Sequence, residues 1–257
     1  MFPVIVCIAK KEHKYIEEFI RYHFALGFAH IFLYDNEDVP TYHLLLEKYI
    51  PRMTILHLPH NNYNKGVQYI ALDHFVASYL YTTQITHVAH IDIDEFIVLK
   101  RHKTISEFIN EYIVDDCEGI GMNWRFFGSS ERTEESPEPV TERFTMCEKD
   151  GNHHIKTLFK KDNFSSYGTC HDVFLRSGFI KSTNGVVING PFNNEIDFSV
   201  IQLNHYKSKT LVEFREIRKR QRADLNHIVH ENVDKSFKEY DKNEVEELTA
   251  CNFYKGI

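Results

Sequence analysis

The sequence predicts an α/β protein built on a mostly parallel, doubly wound sheet. Strand-length apolar runs alternate four times with helix-period segments in the first hundred residues. The first run, Val4 to Ala9, is apolar throughout, as in a strand covered on both faces. Polar residues follow directly on the strands, at the edge where open α/β sheets bind ligands.

Each element has its own signal. After Val4 to Ala9, the residues Ile16, Phe19, Ile20 and Phe24 recur at helical spacing, with Gly27 placed to end the helix. His30 to Tyr34 is a second strand closing in Asp35-Asn36-Glu37-Asp38, and Pro40 opens a helix through Tyr49. Met53 to Leu58 is a third strand, and Gly66 to Tyr81 is helical, with Ile70, Phe75 and Leu80 among its apolar positions. Thr86 to Ala89 is the fourth strand. Beyond it come a helix from Ile105 to Tyr112, a strand from Gly119 to Trp124, an exposed glutamate- and proline-bearing loop from Glu131 to Pro139, and a strand from Lys156 to Lys160. Ile201 to Leu203 leads into Asn204-His205-Tyr206-Lys207-Ser208-Lys209, and a charged helix spans Leu211 to Asp224. A single domain over residues 1–230 and a polar, partly helical tail over 231–257 are expected.

Composition narrows the function. A net charge of −7 argues against nucleic-acid and membrane-surface binding. No window approaches the roughly 18 apolar residues of a membrane span, and Met1-Phe2-Pro3 carries no basic signal region. The chain reads as soluble and cytoplasmic, unless an anchor lies outside it. Five scattered cysteines without a C-x-x-C spacing point away from zinc and disulfide frameworks. The first turn, Ala9-Lys10-Lys11-Glu12-His13, holds no G-x-G-x-x-G, and no Walker loop is present. A homo-oligomer is left open.

The most informative stretch is His90-Ile91-Asp92-Ile93-Asp94-Glu95-Phe96. In an extended chain Asp92 and Asp94 share one face and Ile91 and Ile93 the other. Two adjacent carboxylates repel and raise each other's pKa unless a cation lies between them. Mg²⁺ or Mn²⁺ with oxygen ligands is the usual remedy and commonly accompanies a phosphate-bearing substrate.

The chain resembles glycosyltransferase family 92 and the related family-2-like enzymes of the GT-A fold. The resemblance rests on Val4 to Glu12, Tyr15-Ile16-Glu17-Glu18-Phe19, Tyr34-Asp35-Asn36, His90 to Leu99 and Asn123 to Ser130. It continues through Glu142-Arg143-Phe144, Lys156-Thr157, His171, Leu203 to Lys209 and Glu213-Phe214. A lone D-x-D says little; this ordered set, from about Val4 to about Asp224, says much more. It implies a nucleotide-sugar-binding half over 1–100 and an acceptor-side half over 101–230. It implies a uridine pocket lined by Ile8, Ala9 and Lys10, with Asp35 and Asn36 meeting the nucleoside. Asp92 would approach the ribose or the metal, Asp94 would be the principal Mn²⁺ ligand, and His205 would reach the metal or diphosphate, with Tyr206 and Lys207 closing the site.

The function implied is inverting transfer from a UDP-sugar, galactose among the candidates, to a glycan or other hydroxyl acceptor. Asp172 and Glu142 are the candidate bases, with Glu195 behind them. Two departures from the family pattern, Glu131-Arg132 and Gln221, fall on the acceptor side.

Plainer readings stand beside these. Glu95 more often caps a turn than binds metal. Trp124, Phe126 and Phe127 can be core rather than a sugar platform. His57, His60, His74 and His102 read as structural or surface, and Arg215, Arg218, Lys219, Arg220 and Arg222 as a solvated helix face. Two rivals remain. A haloacid-dehalogenase-type phosphatase also uses D-x-D, but with Thr or Val soon after, on the first strand. A non-catalytic carbohydrate- or nucleotide-sugar-binding module on the same fold is the other.

Overall fold

The structure is a computed structural model that describes all residues except 60–64, 82–83, 220–222 and 224–231. The first half runs β1 (Pro3–Ala9), α1 (Ile16–Ala25), β2 (His30–Asp35), α2 (Tyr42–Leu45), β3 (Met53–His57), α3 (Val67–Phe75) and β4 (His87–His90). Then come β5 (Glu95–Leu99), α4 (Ile105–Tyr112), β6 (Cys117–Phe126), α5 (Val140–Arg143), β7 (Met146–Cys147) and β8 (Ile155–Lys160). The remainder is β9 (Phe164–Tyr167), β10 (Val173–Leu175), β11 (Phe179–Lys181), β12 (Ile201–His205), α6 (Leu211–Arg218), α7 (Val233–Tyr240), β13 (Val245–Glu246) and α8 (Thr249–Lys255).

The main sheet has the order β3-β2-β1-β4-β8-β6-β12-β5, with β11 also on β6. Strands β3, β2, β1 and β4 are mutually parallel, as their β-α repeats require. Alternation along β1 divides the core. Ile5, Cys7 and Ala9 join the cluster under α1 and α4, while Val4 and Val6 join the cluster under α3. Two covered faces account for the unbroken apolar run. Each fully buried Phe or Ile, such as Phe19 or Ile31, contributes about 1.5–3 kcal/mol of transfer free energy.

Several expectations shift. Strand β8 inserts antiparallel between β4 and β6, so the second half of the sheet is mixed. The helix expected from Pro40 to Tyr49 is only α2, followed by a 3₁₀ segment Glu47–Arg52. Pro51 removes a donor from that segment, which then enters β3. α3 continues as a π-helical turn, Val76–Leu80. The charged helix is described to Arg218, and its expected end at Asp224 lies outside the described residues, as do Arg220, Gln221, Arg222 and His60.

The polar tail is built into the fold. β13 pairs with β7, and Ala250, Cys251 and Tyr254 of α8 are buried. Asp241 and Asn243 accept the backbone N–H groups of Ser129 and Ser130. The chain packs so closely there that a Cβ on Gly128 would lie 2.5 Å from the Lys242 carbonyl oxygen. Gly27, at φ +105°, turns the chain out of α1 in a conformation that L side chains rarely adopt.

Candidate active site

The register of β1 sets Ala9 beside Asp35 and Val6 beside His90, so the carboxyl ends of β1, β2 and β4 form one edge. Asp92 and Asp94 lie just past β4, in the turn leading to β5, not within a strand. The alternation nonetheless survives: Ile91 and Ile93 are buried, while the Asp92 and Asp94 side chains are 36% and 14% exposed. Glu95 closes the turn by accepting the Asp92 N–H at 2.8 Å, the capping role favoured over metal binding.

The cation beside Asp92 is a lysine. Lys156 of β8, with no exposed side-chain surface, places Nζ 3.1 Å from Asp92 Oδ2 and 3.7 Å from Glu95 Oε2. Gln68 of α3 donates to Asp92 Oδ1 at 3.0 Å, so both carboxylate oxygens have protein partners. Burial pushes the Asp92 pKa up, but the charge and hydrogen bond of Lys156, with His90 beside them, leave it below the usual range. Glu95 moves the other way: burial raises it well above its ordinary value, with Lys156 only partly opposing.

Asp94 faces a different partner. His205 ends β12 opposite Glu95 and beside Phe126, and its Nε2 lies 3.6 Å from Asp94 Oδ1. Burial lowers the His205 pKa against the pull of Asp94, which favours the neutral imidazole a metal needs. Its Nδ1 is buried without a hydrogen-bond partner.

Trp124 organises the surroundings. Its ring stacks on His154 at 5.0 Å, meets His171 edge-on at 5.0 Å, and meets His205 at 4.5 Å. Trp124, Phe126 and Phe127 are all buried, so they serve as core and wall rather than an open sugar platform. His171 donates from Nδ1 to the Ile155 carbonyl, which makes Nε2 the acceptor nitrogen of the neutral ring. Burial and Lys156 push its pKa down to about 4.

The other expected residues are spread more widely. Asp35 uses its carboxylate inside the protein, accepting the N–H groups of Glu37, Thr41 and Tyr42 at 3.0, 2.9 and 3.2 Å. These bonds shape the loop that follows β2. Asn36 is likewise held, donating to the Leu58 carbonyl at 2.7 Å. Ile8 and Ala9 end β1, and Lys10, the next residue, reaches Asp38 at 3.0 Å. Lys207 lies over the Tyr240 ring at 3.8 Å.

Glu142, on α5, has Lys255 of α8 as its partner at 3.7 Å, and no described contact joins it to Asp92, Asp94 or His205. Asp172 is buried and accepts the Thr169 hydroxyl, closing the turn that carries His171. Glu195 is exposed and exchanges hydrogen bonds with Asn193. On α6 the basic side chains are engaged, Arg215 with Asp234 at 2.8 Å and Lys219 with Glu216 at 2.5 Å, as on a solvated face.

Comparison with known proteins adds the family. The family model described as Glycosyltransferase family 92 matches residues 2–246. The chain belongs to glycosyltransferase family 92. Its architecture is α/β, a large mixed sheet with helices, and the phosphatase alternative falls away with the family match.

Among solved structures, S. aureus TarS 1–349 is 15% identical with a TM-score of 0.39, the match covering 63% of this chain and 47% of that one. The same protein in complex with UDP gives 15% and 0.38, with the same coverage. HddC from Yersinia pseudotuberculosis gives 9% and 0.37, covering 68% of this chain and 84% of that one. The match thus spans about half the length of TarS 1–349. No curated protein matches this family-92 chain. No described helix is long and apolar enough to cross a membrane.

Lys156, Gln68 and His154 carry site geometry without having been assigned a role from sequence. The signal for Lys156 was a charge inside Ile155-Lys156-Thr157-Leu158-Phe159, where β8 is otherwise buried. Its partner, 64 residues earlier in the chain, is set by an antiparallel insertion that local patterning does not reveal.

The metal expectation divides. Among the described residues, no group of three or more His, Cys, Asp or Glu converges as a metal site. Asp94 and His205 fit as a pair of ligands, while both carboxylate oxygens of Asp92 are held by Lys156 and Gln68.

Proposed function

We propose that this chain transfers a glycosyl group from a UDP-sugar to a hydroxyl of a glycan or another acceptor, with inversion and with a divalent cation, Mn²⁺ or Mg²⁺. The observation that carries the reading is the Asp94–His205 pair, 3.6 Å apart at the carboxyl edge of the sheet in a glycosyltransferase-family chain. Galactose is the donor sugar suggested by resemblance. When bound, the cation would stabilise the negative charge that develops on the leaving diphosphate.

The chain's own residues supply the rest. Ile8, Ala9 and Lys10 border the nucleoside side, with Asn36 and the Asp35-held loop as its floor. Asp92, fixed by Lys156 and Gln68, offers its exposed edge to a donor hydroxyl. Lys207, on the segment that follows His205, adds positive charge toward the diphosphate. Asp172 is the base retained, because it lies on the same turn as His171 while Glu142 is engaged by Lys255.

A thermal-shift panel of nucleotide sugars tests this reading. A ligand that binds only the native state raises the melting temperature. The expected result is a shift with UDP-sugars that depends on Mn²⁺ and exceeds that of other nucleotide sugars. No shift with any nucleotide sugar, with or without Mn²⁺, contradicts it.

A further inference from the structure

Asp92 and Asp94 sit two residues apart yet occupy different electrostatic settings. Asp92 meets a fully buried ammonium at 3.1 Å and an amide at 3.0 Å, one on each oxygen. Lys156 cannot reach a substrate, since its side chain has no exposed surface. Its ammonium also lies 3.7 Å from Glu95, which in turn accepts the Asp92 N–H. Strand β8 pairs antiparallel with β4 through Ala89 and Leu158, and continuing that register sets Lys156 against the residues after His90. Asp94, by contrast, projects toward His205.

A dication drawing on Asp92 would have to share that carboxylate with the buried Lys156 ammonium. Two like charges on one carboxylate, one of them desolvated, repel strongly.

We propose that Lys156 is a positioning residue that keeps Asp92 out of the cation's coordination. Among the described residues the site then offers Asp94 and His205, and takes Mn²⁺ tightly only together with a diphosphate. The proposal rests on the metal-dependent reading above. It assigns the charge offset at Asp92 to the protein itself, so that Asp92 is freed to serve the donor.

Mn²⁺ binding, followed by loss of the free-ion electron paramagnetic resonance signal, tests it without any turnover. The wild-type protein should bind Mn²⁺ weakly alone and at least about tenfold more tightly with UDP, the scale on which ligand-supporting residues act. Lys156→Met should bind Mn²⁺ alone about tenfold more tightly than wild type, because Asp92 is released. Should that variant lose its fold, Lys156→Met combined with Glu95→Gln removes the lysine without leaving a second buried charge, and the same gain is expected. Tight wild-type binding of Mn²⁺ without UDP, or equal affinities in wild type and the folded lysine variant, overturns the proposal and leaves the functional reading standing. No Mn²⁺ binding by wild type even with UDP overturns both.

Discussion

The Arg143 guanidinium grips the Glu213 carboxylate through hydrogen bonds of 2.8 and 3.1 Å, on side chains only 2% and 1% exposed. Tyr15 donates to the same carboxylate at 2.9 Å, and Thr210 donates both its N–H and its hydroxyl, completing a capping box on α6. Nearby, Glu18 accepts the N–H groups of Val140 and Thr141 and starts α5. Tyr15, Glu18, Arg143 and Glu213 all belong to the segments that carry the family resemblance. In this fold they join α1, α5 and α6 to one another and set the frame in which β12 presents His205.

Removing one partner of this buried pair leaves the other charged and unsolvated. Arg143→Met should therefore destabilise the protein by about 3–5 kcal/mol. Urea unfolding measures it directly, and a loss below about 1 kcal/mol would show that water or another donor replaces the guanidinium.

The same pair sets a pH dependence. Burial pushes the Glu213 pKa up, but the Arg143 and Thr210 hydrogen bonds outweigh it and the net shift is downward from 4.5. A depressed carboxylate contributes stability that is complete above its unfolded value and lost as pH falls through its folded one. Wild type should lose this contribution below about pH 4.5, and Glu213→Gln, less stable at neutral pH, should show a shallower acid limb. Parallel limbs in the two proteins would remove Glu213 from the account.

Glu142 and Asp172 separate in the same assay. Glu142→Gln alters a half-exposed side chain whose partner is Lys255, so transfer should change less than about twofold. Asp172→Asn should lower transfer about a hundredfold, as expected for a lost general base, while leaving Mn²⁺ binding with UDP intact. Equal, small effects of both substitutions would return Asp172 to a purely structural place in its turn.

Much of the frame was legible because its signals are local. The unbroken apolar run of β1, the helical spacing of Ile16, Phe19 and Ile20, and Gly27 at its end each specify one element without distant help. The D-x-D alternation was readable for the same reason. What local patterning missed depends on long-range placement. The inserted strand β8 brings Lys156 to Asp92, a buried cation that the local pattern does not reveal. The family resemblance implies that Asp35 meets the nucleoside, and the three backbone N–H groups its carboxylate accepts from the following loop are not legible in that resemblance. The tail reads as polar and partly helical, and its Ala250 and Tyr254 join the core, a long-range placement that its composition does not reveal.

The central claim is that Asp94, with His205, holds the cation on which donor chemistry depends. The direct measurement is Mn²⁺-dependent transfer or hydrolysis of a UDP-sugar by Asp94→Ala, with folding checked by circular dichroism. The account predicts a folded protein whose Mn²⁺-dependent turnover is abolished. Wild-type-like turnover by that folded variant would contradict it.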